Sequence, residues 1–309
     1  MIEEFEKKGY RFHGTGAVEI CRWTKNALLG RGVCYKQKFY GVPAHRCMEF
    51  SPSALWCNNN CVYCWRPEEL MVPARGVRWT DPVEMVEALV EKRRSLLMGF
   101  KGNSRVNKRL LEEAMEPSHF AISLSGEPTA YPHLSELIAY LKSRPGHFST
   151  FLVTNGQYPF TLESLKVLPT QLYLSLTAPN PTLYRRVSVP TEKDAWERLL
   201  HSCDFLARAD TRTVARITPI KGLNMTDVEG WRALVERCNS HFVEFKGYSW
   251  IGFSQHRLKL ENVPSLEEVR EFATRVMSGL PFSYMDEDKK SRVVVFKNQR
   301  REAERVIKQ

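Results

Sequence analysis

The chain has 309 residues, of which 43% are hydrophobic, and its formal net charge is +10 at pH 7. No apolar run reaches the roughly eighteen residues that cross a membrane, and the polar N-terminus lacks the apolar centre of a signal peptide. We therefore expect one cytoplasmic, monomeric domain over residues 1–309, with no membrane partner.

The first 75 residues are rich in Gly, Pro, Asn and aromatic residues and show little periodicity. They predict an N-terminal region of loops organised around something other than their own packing, with one short strand at 47–51. A helix is predicted from Pro82 to about Met98, because Asp81 followed by a proline is a typical helix start. At the other end, the charged residues 297–309 predict a C-terminal helix.

Beyond residue 118, apolar segments alternate with amphipathic ones. The strand candidates are 119–124, 149–154, 171–176, 213–218, 241–246 and 292–296. Helices are predicted near 133–143, 162–167, 192–207, 226–238 and 265–278. This alternation predicts parallel strands with helices outside. About six to eight elements of each kind favour an α/β fold, a partial or complete TIM-like β/α barrel.

Three cysteines lie close together in the N-terminal region. Cys57, Cys61 and Cys64 have the spacing C-x3-C-x2-C. Soft thiolates select zinc or iron–sulfur clusters. Zinc requires a fourth ligand to complete its tetrahedron, and none follows within the loop. Three cysteines on a cubane cluster leave one iron open, so the pattern favours a [4Fe-4S] cluster, with zinc as the alternative.

This motif, with the aromatic Tyr63 before its last cysteine, resembles the radical S-adenosylmethionine (SAM) superfamily. The resemblance implies an α/β barrel in which the open iron is chelated by SAM. It also implies that an electron from the cluster cleaves SAM to a 5′-deoxyadenosyl radical. Tyr63 is then a candidate to pack beside the cofactor base.

Further candidates for contacts to SAM follow the predicted strands. Ser125, Gly126 and Glu127 begin an SGEP sequence that is similar to the GGEP element of the superfamily, with Ser125 in place of the first glycine. The resemblance implies that backbone oxygens of this element meet the methionine amino group. Asn155 and Ser175 lie near the ends of the next two predicted strands, where barrel enzymes gather functional residues. An ordinary strand-to-helix turn is the alternative for the SGEP sequence.

A second cysteine set, Cys21, Cys34 and Cys47, has the spacing C-x12-C-x12-C. Its surroundings are rich in Lys and Arg, and cysteines in positive surroundings tend to be thiolates. Three thiolates again suit a cubane with one open iron. The alternative is three unconnected buried cysteines.

Two such triplets followed by SGEPT resemble the tRNA 4-demethylwyosine synthases, which form the tricyclic ring of wybutosine. The stretches KQKFYG (36–41), HRCME (45–49) and EFKGY (244–248) match as well, and the resemblance covers essentially the whole chain. It is to the short archaeal type, without the flavodoxin-like domain of eukaryotic members. This type implies two [4Fe-4S] clusters and an external electron donor such as a flavodoxin or ferredoxin.

The resemblance implies a carbon–carbon lyase that condenses N1-methylguanosine, beside the anticodon of tRNA(Phe), with pyruvate. The radical removes hydrogen from the N-methyl group, the carbon radical adds to pyruvate, and loss of the carboxylate carbon precedes ring closure. Pyruvate is held either on the open iron of the second cluster or as a Schiff base on a neutral lysine. Lys36, two residues after Cys34, is the first candidate and Lys38 the second. For either, the alternative is a solvated or phosphate-contacting lysine.

Four basic stretches are candidates for contacts to tRNA phosphates: 92–94, 101–109, 246–257 and 297–308. The aromatic residues of 246–257 also suit stacking on unpaired bases. A solvated surface is the alternative for each stretch. For the whole chain, the alternatives are a radical SAM activase acting on a partner protein and a non-catalytic zinc-stabilised RNA-binding module. The positive net charge favours RNA over the activase.

Overall fold

The computed structural model of the protein describes residues 2–67, 69 and 71–308. The strands are β1 (Arg11–His13), β2 (Gly16–Glu19), β3 (Cys47–Ser51), β4 (His119–Ile122), β5 (Ser149–Thr154), β6 (Gln171–Leu176), β7 (Arg212–Ile217), β8 (Phe242–Lys246), β9 (Phe282–Asp288) and β10 (Val293–Asn298). The helices are α1 (Ile2–Glu6), α2 (Arg22–Leu28), α3 (Tyr35–Tyr40), α4 (Pro82–Met98), α5 (Lys108–Met115), α6 (Leu134–Ser143), α7 (Pro159–Glu163), α8 (Pro181–Ser188), α9 (Ala195–Arg208), α10 (Val228–Cys238) and α11 (Leu266–Met277). None of the helices within these residues combines the length and the apolarity that a membrane crossing requires.

The ten strands form one sheet in the order β1-β2-β3-β4-β5-β6-β7-β8-β10-β9. Strands β3 to β8 pair in parallel in chain order, and helices connect each to the next. Antiparallel strands extend both edges, β1 and β2 on one side and β10 and β9 on the other. The edge strands β1 and β9 do not pair with each other in the described part of the chain. The predicted α/β barrel is therefore confirmed in its partial form.

Helix α4 begins where the sequence predicted. The Asp81 carboxylate accepts hydrogen bonds from the backbone N–H groups of Val83 at 2.9 Å and Glu84 at 3.0 Å. Pro82 occupies the first turn. These bonds satisfy donors that a helix start leaves without partners. The buried stripe of α4, which includes Leu89, packs in the main core outside the sheet.

The two faces of the sheet are covered differently. Side chains alternate across each strand, and on the outer face Phe120 and Leu152 pack among the helices. On the inner face, Phe151, Tyr173 and Val214 pack around the aromatic residues of α3. Helix α3 therefore lies inside the partial barrel, and we call the space around it the barrel interior.

The helix predicted for 297–309 is not formed in its described part. Lys297 and Asn298 end strand β10, and residues 299–308 have no helical segment. Arg212 donates to the backbone carbonyls of Glu304 and Arg305. The tail is thus fixed by side chains of the sheet as an irregular segment beneath the amino ends of the strands, which removes the need for its own helical hydrogen bonds.

Candidate active site

The loop after β3 carries Cys57, Cys61 and Cys64, all half-buried. The backbone N–H of Cys64 donates to the Cys61 carbonyl at 2.9 Å, so one turn holds the last two cysteines. The N–H of Val62 donates to the Val187 carbonyl at 2.9 Å and ties the loop to the end of α8. The three cysteines therefore project from one anchored loop at the carboxyl ends of the parallel strands.

The SGEP sequence packs directly against this cysteine loop. The backbone N–H of Glu127 donates to the Trp56 carbonyl at 2.7 Å. Gly126 has a φ of +69°, and a Cβ atom there would lie 1.9 Å from the Ser53 carbonyl oxygen. Only glycine combines this backbone conformation with so close an approach. The close approach of the two loops explains the glycine of the motif.

The Glu127 carboxylate accepts hydrogen bonds from groups of the protein itself. Its Oε1 accepts hydrogen bonds from the Thr154 hydroxyl at 2.6 Å and the Thr129 N–H at 3.0 Å, and its Oε2 accepts the Asn155 N–H at 2.7 Å. Burial raises the pKa of Glu127, and these hydrogen bonds oppose the rise. The bonds fix Asn155, whose side-chain nitrogen lies 3.7 Å from the Cys57 sulfur. Glu127 is thus a positioning residue for the edge of the cysteine loop.

The remaining candidates for SAM contacts lie at the same end of the sheet. The Ser125 hydroxyl donates to the Ala54 carbonyl at 2.7 Å. Tyr63 is half-buried at the edge of a small apolar cluster. Ser175 lies on β6, two residues beyond Tyr173, and therefore on the same inner face. The structure places all of these residues at the carboxyl ends of β3 to β6 and their following loops.

The cysteine spacing left two alternatives open, a zinc ion and an iron–sulfur cluster, and the structure can be compared with the needs of each. Among the described residues, no three His, Cys, Asp or Glu side chains are close enough to hold a single metal ion. A structural zinc site needs four ligands, each at about 2.0–2.3 Å. A cubane cluster accepts wider spacing because each cysteine binds a different iron. The arrangement therefore fits an iron–sulfur cluster better than zinc.

The second cysteine set lies at the opposite end of β3. Cys47 begins this strand, and antiparallel pairing brings Cys21, which follows β2, next to its start. Cys34 immediately precedes α3. About 13 Å of strand separates Cys47 from Ser51 at the carboxyl end. The barrel interior thus extends between two cysteine sets.

Burial dominates the electrostatics of the second cysteine set. The pKa of Cys21 is raised to about 11 and that of Cys47 to about 12, chiefly by burial and in smaller part by the neighbouring Cys34. Lys36 opposes the rise at Cys47. The expectation that positive surroundings keep these cysteines as thiolates is therefore wrong for the polypeptide itself, because desolvation outweighs the cations. Metal binding here has to release protons.

The two candidate lysines of α3 point in different directions, since two residues span about 200° of helix. The Lys36 Nζ lies 4.6 Å from the ring centroid of Phe151 and 5.3 Å from that of Tyr173, inside the barrel. The Lys38 side chain is 45% exposed, and its Nζ pairs with Asp286 at 2.9 Å. Of the two, only Lys36 faces the barrel interior.

A buried polar network beneath Lys36 was not foreseen from the sequence. The Glu244 carboxylate is fully buried and accepts four hydrogen bonds. The donors are the Tyr40 hydroxyl at 2.7 Å and the Tyr35 hydroxyl, the Tyr173 hydroxyl and Arg216 Nε, each at 3.2 Å. Burial raises the pKa of all three tyrosines, so each hydroxyl keeps its proton and donates. The network fastens α3 to strands β6, β7 and β8.

Lys246 and two carboxylates also belong to the barrel interior. The Lys246 Nζ lies 5.5 Å from the ring centroid of Tyr35, and burial followed by Arg216 lowers its pKa. Glu19 is paired in register with Glu49, and burial raises the pKa of Glu19 to about 7. In the sequence, these interior charges could have been recognised as charged residues at alternate positions of an otherwise apolar strand, as at Glu244 and Lys246.

The basic stretches occupy very different places. Within 92–94, Arg93 is buried, so this stretch is not a continuous phosphate-binding surface. The stretch 101–109 is irregular only as far as Asn107, after which α5 begins. In 246–257, Tyr248 is buried and Arg257 donates to the Cys64 carbonyl at 2.5 Å. The stretch 246–257 therefore packs against the first cysteine loop, whereas 297–308 lies at the far end of the strands.

The family comparison agrees with this arrangement. The family model of the radical SAM superfamily matches residues 52–235, more than half of the chain. The chain therefore belongs to the radical SAM superfamily, which implies a [4Fe-4S] cluster and SAM as cofactors. A second family model, wyosine base formation, matches residues 237–298.

Comparison with individual relatives narrows the assignment from the superfamily to one enzyme family. The S-adenosyl-L-methionine-dependent tRNA 4-demethylwyosine synthase of Pyrococcus horikoshii is 42% identical over 96% of this chain and 87% of its own length. The protein of the same name from Methanocaldococcus jannaschii is 37% identical over 96% of this chain and 94% of its own length. The solved structure of TYW1 with a lysine–pyruvate adduct bound matches with a TM-score of 0.88 and 36% identity, over 97% of this chain and 96% of that one. The chain is a member of the tRNA 4-demethylwyosine synthase family, and the predicted resemblance is confirmed.

Proposed function

We propose that this enzyme condenses N1-methylguanosine of tRNA(Phe) with pyruvate to form 4-demethylwyosine, and that Lys36 holds pyruvate as a Schiff base. The observation that carries the proposal is the position of the Lys36 amine, inside the barrel between Phe151 and Tyr173 and close to Cys47. The solved relative with a lysine–pyruvate adduct supports a lysine in this role.

Cys57, Cys61 and Cys64 hold the first cluster. With SAM bound beside it, this cluster would supply the radical chemistry that removes hydrogen from the N-methyl group of the nucleotide. Gly126 lets the SGEP backbone approach the cysteine loop, and Glu127 fixes Asn155 beside Cys57. These contacts support SAM binding at this end of the barrel, where Tyr63, Ser125 and Ser175 also lie.

Lys36 performs the covalent step with pyruvate. Its neutral amine attacks the keto carbon, and both N–H hydrogens leave with the keto oxygen as water when the imine forms. The half-buried Lys36 places its amine against the rings of Phe151 and Tyr173. Lys246 and Arg216 add positive charge to the same interior, which suits the pyruvate carboxylate.

Cys21, Cys34 and Cys47 hold a second [4Fe-4S] cluster, whose open iron is the other candidate position for pyruvate. Their convergence at the start of β3 and the cations around them support this ligand set. An external flavodoxin or ferredoxin supplies electrons to the monomeric, cytoplasmic enzyme. The net charge of +10 suits both an acidic donor and tRNA.

The test uses anaerobically reconstituted protein, pyruvate and borohydride. We expect mass spectrometry to find reduced pyruvate on the Lys36 peptide, and labelled pyruvate carbon in the nucleoside product from N1-methylguanosine tRNA. Lys36→Ala should lose both signals, whereas Lys38→Ala, altered on the same helix, should keep both. Product formation by Lys36→Ala would remove Lys36 from the mechanism. A wild-type protein that forms no product from this tRNA would contradict the proposed reaction.

A further inference from the structure

Arg93 is a buried cation that has no carboxylate partner among the described residues. Its side chain lies in α4 and is 1% exposed. The guanidinium donates to three backbone carbonyls: His45 at 2.9 Å, Cys47 at 3.4 Å, and Ala114. The adjacent Arg94 differs sharply, because it is partly exposed and pairs with Glu91 and Glu116.

A buried charge with only neutral partners costs a large desolvation free energy. An anionic group close by is the usual compensation. The guanidinium reaches the carbonyl of Cys47 itself, and the pairing of β2 with β3 brings Cys21 beside Cys47. The unbalanced positive charge therefore faces the second cysteine set.

We propose that Arg93 is the permanent counter-charge of the second iron–sulfur cluster and raises its reduction potential. The inference rests on the proposed function, which assigns that cluster to Cys21, Cys34 and Cys47. The negative charge of three thiolates exceeds the positive charge of the cluster core, so the site is anionic and becomes more so on reduction. A fixed cation beside it stabilises the reduced form more than the oxidised form.

Two other cations also lie near the second set, but on its other side. Lys36 and Lys246 face the barrel interior, where the substrate binds and where Lys36 reacts. Arg93 reaches the set from the helix side of β3, on the buried stripe of α4. Its charge is therefore present at every stage of turnover. Its bonds to the His45 and Cys47 carbonyls also fix the start of β3, so the experiment has to separate charge from structure.

The test measures the second cluster alone. In a variant carrying Cys57→Ala, Cys61→Ala and Cys64→Ala, a redox titration followed by electron paramagnetic resonance reports only that cluster. Adding Arg93→Met should lower the reduced-to-oxidised ratio at a fixed ambient potential at least tenfold, which is 59 mV for a one-electron couple. Arg93→Lys keeps the charge and should change the ratio less than about threefold, as should the control Arg94→Met.

An unchanged potential in Arg93→Met, or equal shifts in Arg93→Met and Arg93→Lys, would overturn the inference. If Arg93→Met binds no iron, urea unfolding of the iron-free proteins decides. If Arg93→Met unfolds at the same urea concentration as its parent, the arginine is needed only when the cluster is present, which supports the inference. A large loss of stability shows that Arg93 has a structural role and overturns the inference. A parent variant that binds no iron would contradict the second cluster itself. That outcome differs from a bound cluster that is indifferent to Arg93.

Discussion

Replacing Glu244 by leucine should destabilise the protein by about 3–5 kcal/mol, the range for breaking a buried ion pair by removing one partner. The carboxylate accepts hydrogen bonds from three tyrosine hydroxyls and from Arg216. Leucine leaves the Arg216 charge, which is only 15% exposed, without its carboxylate and takes the acceptor from the three tyrosine hydroxyls. Glu244→Gln keeps one acceptor oxygen without the charge, so it should lose less.

Anaerobic urea unfolding followed by circular dichroism measures these losses, with the slope against urea checked for each variant. The control is Asp204→Asn, which breaks a two-bond pair with Arg237 at 2.7 Å and 2.7 Å. Because Asp204 is 42% exposed, this loss should be below about 1 kcal/mol. A loss below about 1 kcal/mol for Glu244→Leu as well would refute the reasoning, since it would show that the buried network contributes no more than a surface pair.

Two further predictions concern the first cysteine loop and the response to pH. Gly126→Ala should abolish SAM binding and lower iron content, because the new Cβ would lie 1.9 Å from the Ser53 carbonyl oxygen; Gly146→Ala, with a similar φ of +71° and open space, should cost only about 1–2 kcal/mol of backbone strain. If Gly126→Ala and Gly146→Ala had equal effects on iron content and on the melting temperature, the steric argument would be contradicted. Burial lowers the pKa of His119 and of His241 to about 4, so both stay neutral in the fold while the unfolded chain binds protons below about pH 6.5. The two histidines should therefore lower the free energy of unfolding as the pH falls from 6.5 to 4, whereas Glu19, whose pKa is raised to about 7, acts in the opposite direction. Compared with the wild type in urea unfolding at each pH, the double variant His119→Asn/His241→Asn should lose less stability over this range.

The strand–helix alternation was predictable because strands buried on both faces read as continuous apolar runs. The segment 149–154 shows this pattern and forms β5. Strand β9 (Phe282–Asp288) was missed because it is an edge strand whose side chains are exposed or half-buried and whose end is acidic. The short strands and helices before residue 47 were missed because their packing depends on the interior that they enclose.

The candidate site also has features that the sequence predicted and features that it did not. The spacing of Cys57, Cys61 and Cys64 is local, so the sequence alone predicts a shared centre. The relation of Lys36 to Glu244 depends on pairing across the whole sheet, which no local pattern encodes. The protonation of Cys47 was misjudged because neighbouring lysines are visible in a sequence and desolvation is not.

The enclosure of α3 has a consequence for how the polypeptide matures on the ribosome. Tyr35 and Tyr40 contact Glu244 across 209 and 204 residues of sequence. Both cysteine sets emerge during early translation, but the Glu244 anchor of α3 forms only after β8 has been synthesised and has paired. Iron delivered to a nascent chain therefore meets Cys34 on a segment that lacks this anchor, whereas iron delivered after release meets Cys34 beside a helix already fixed inside the partial barrel.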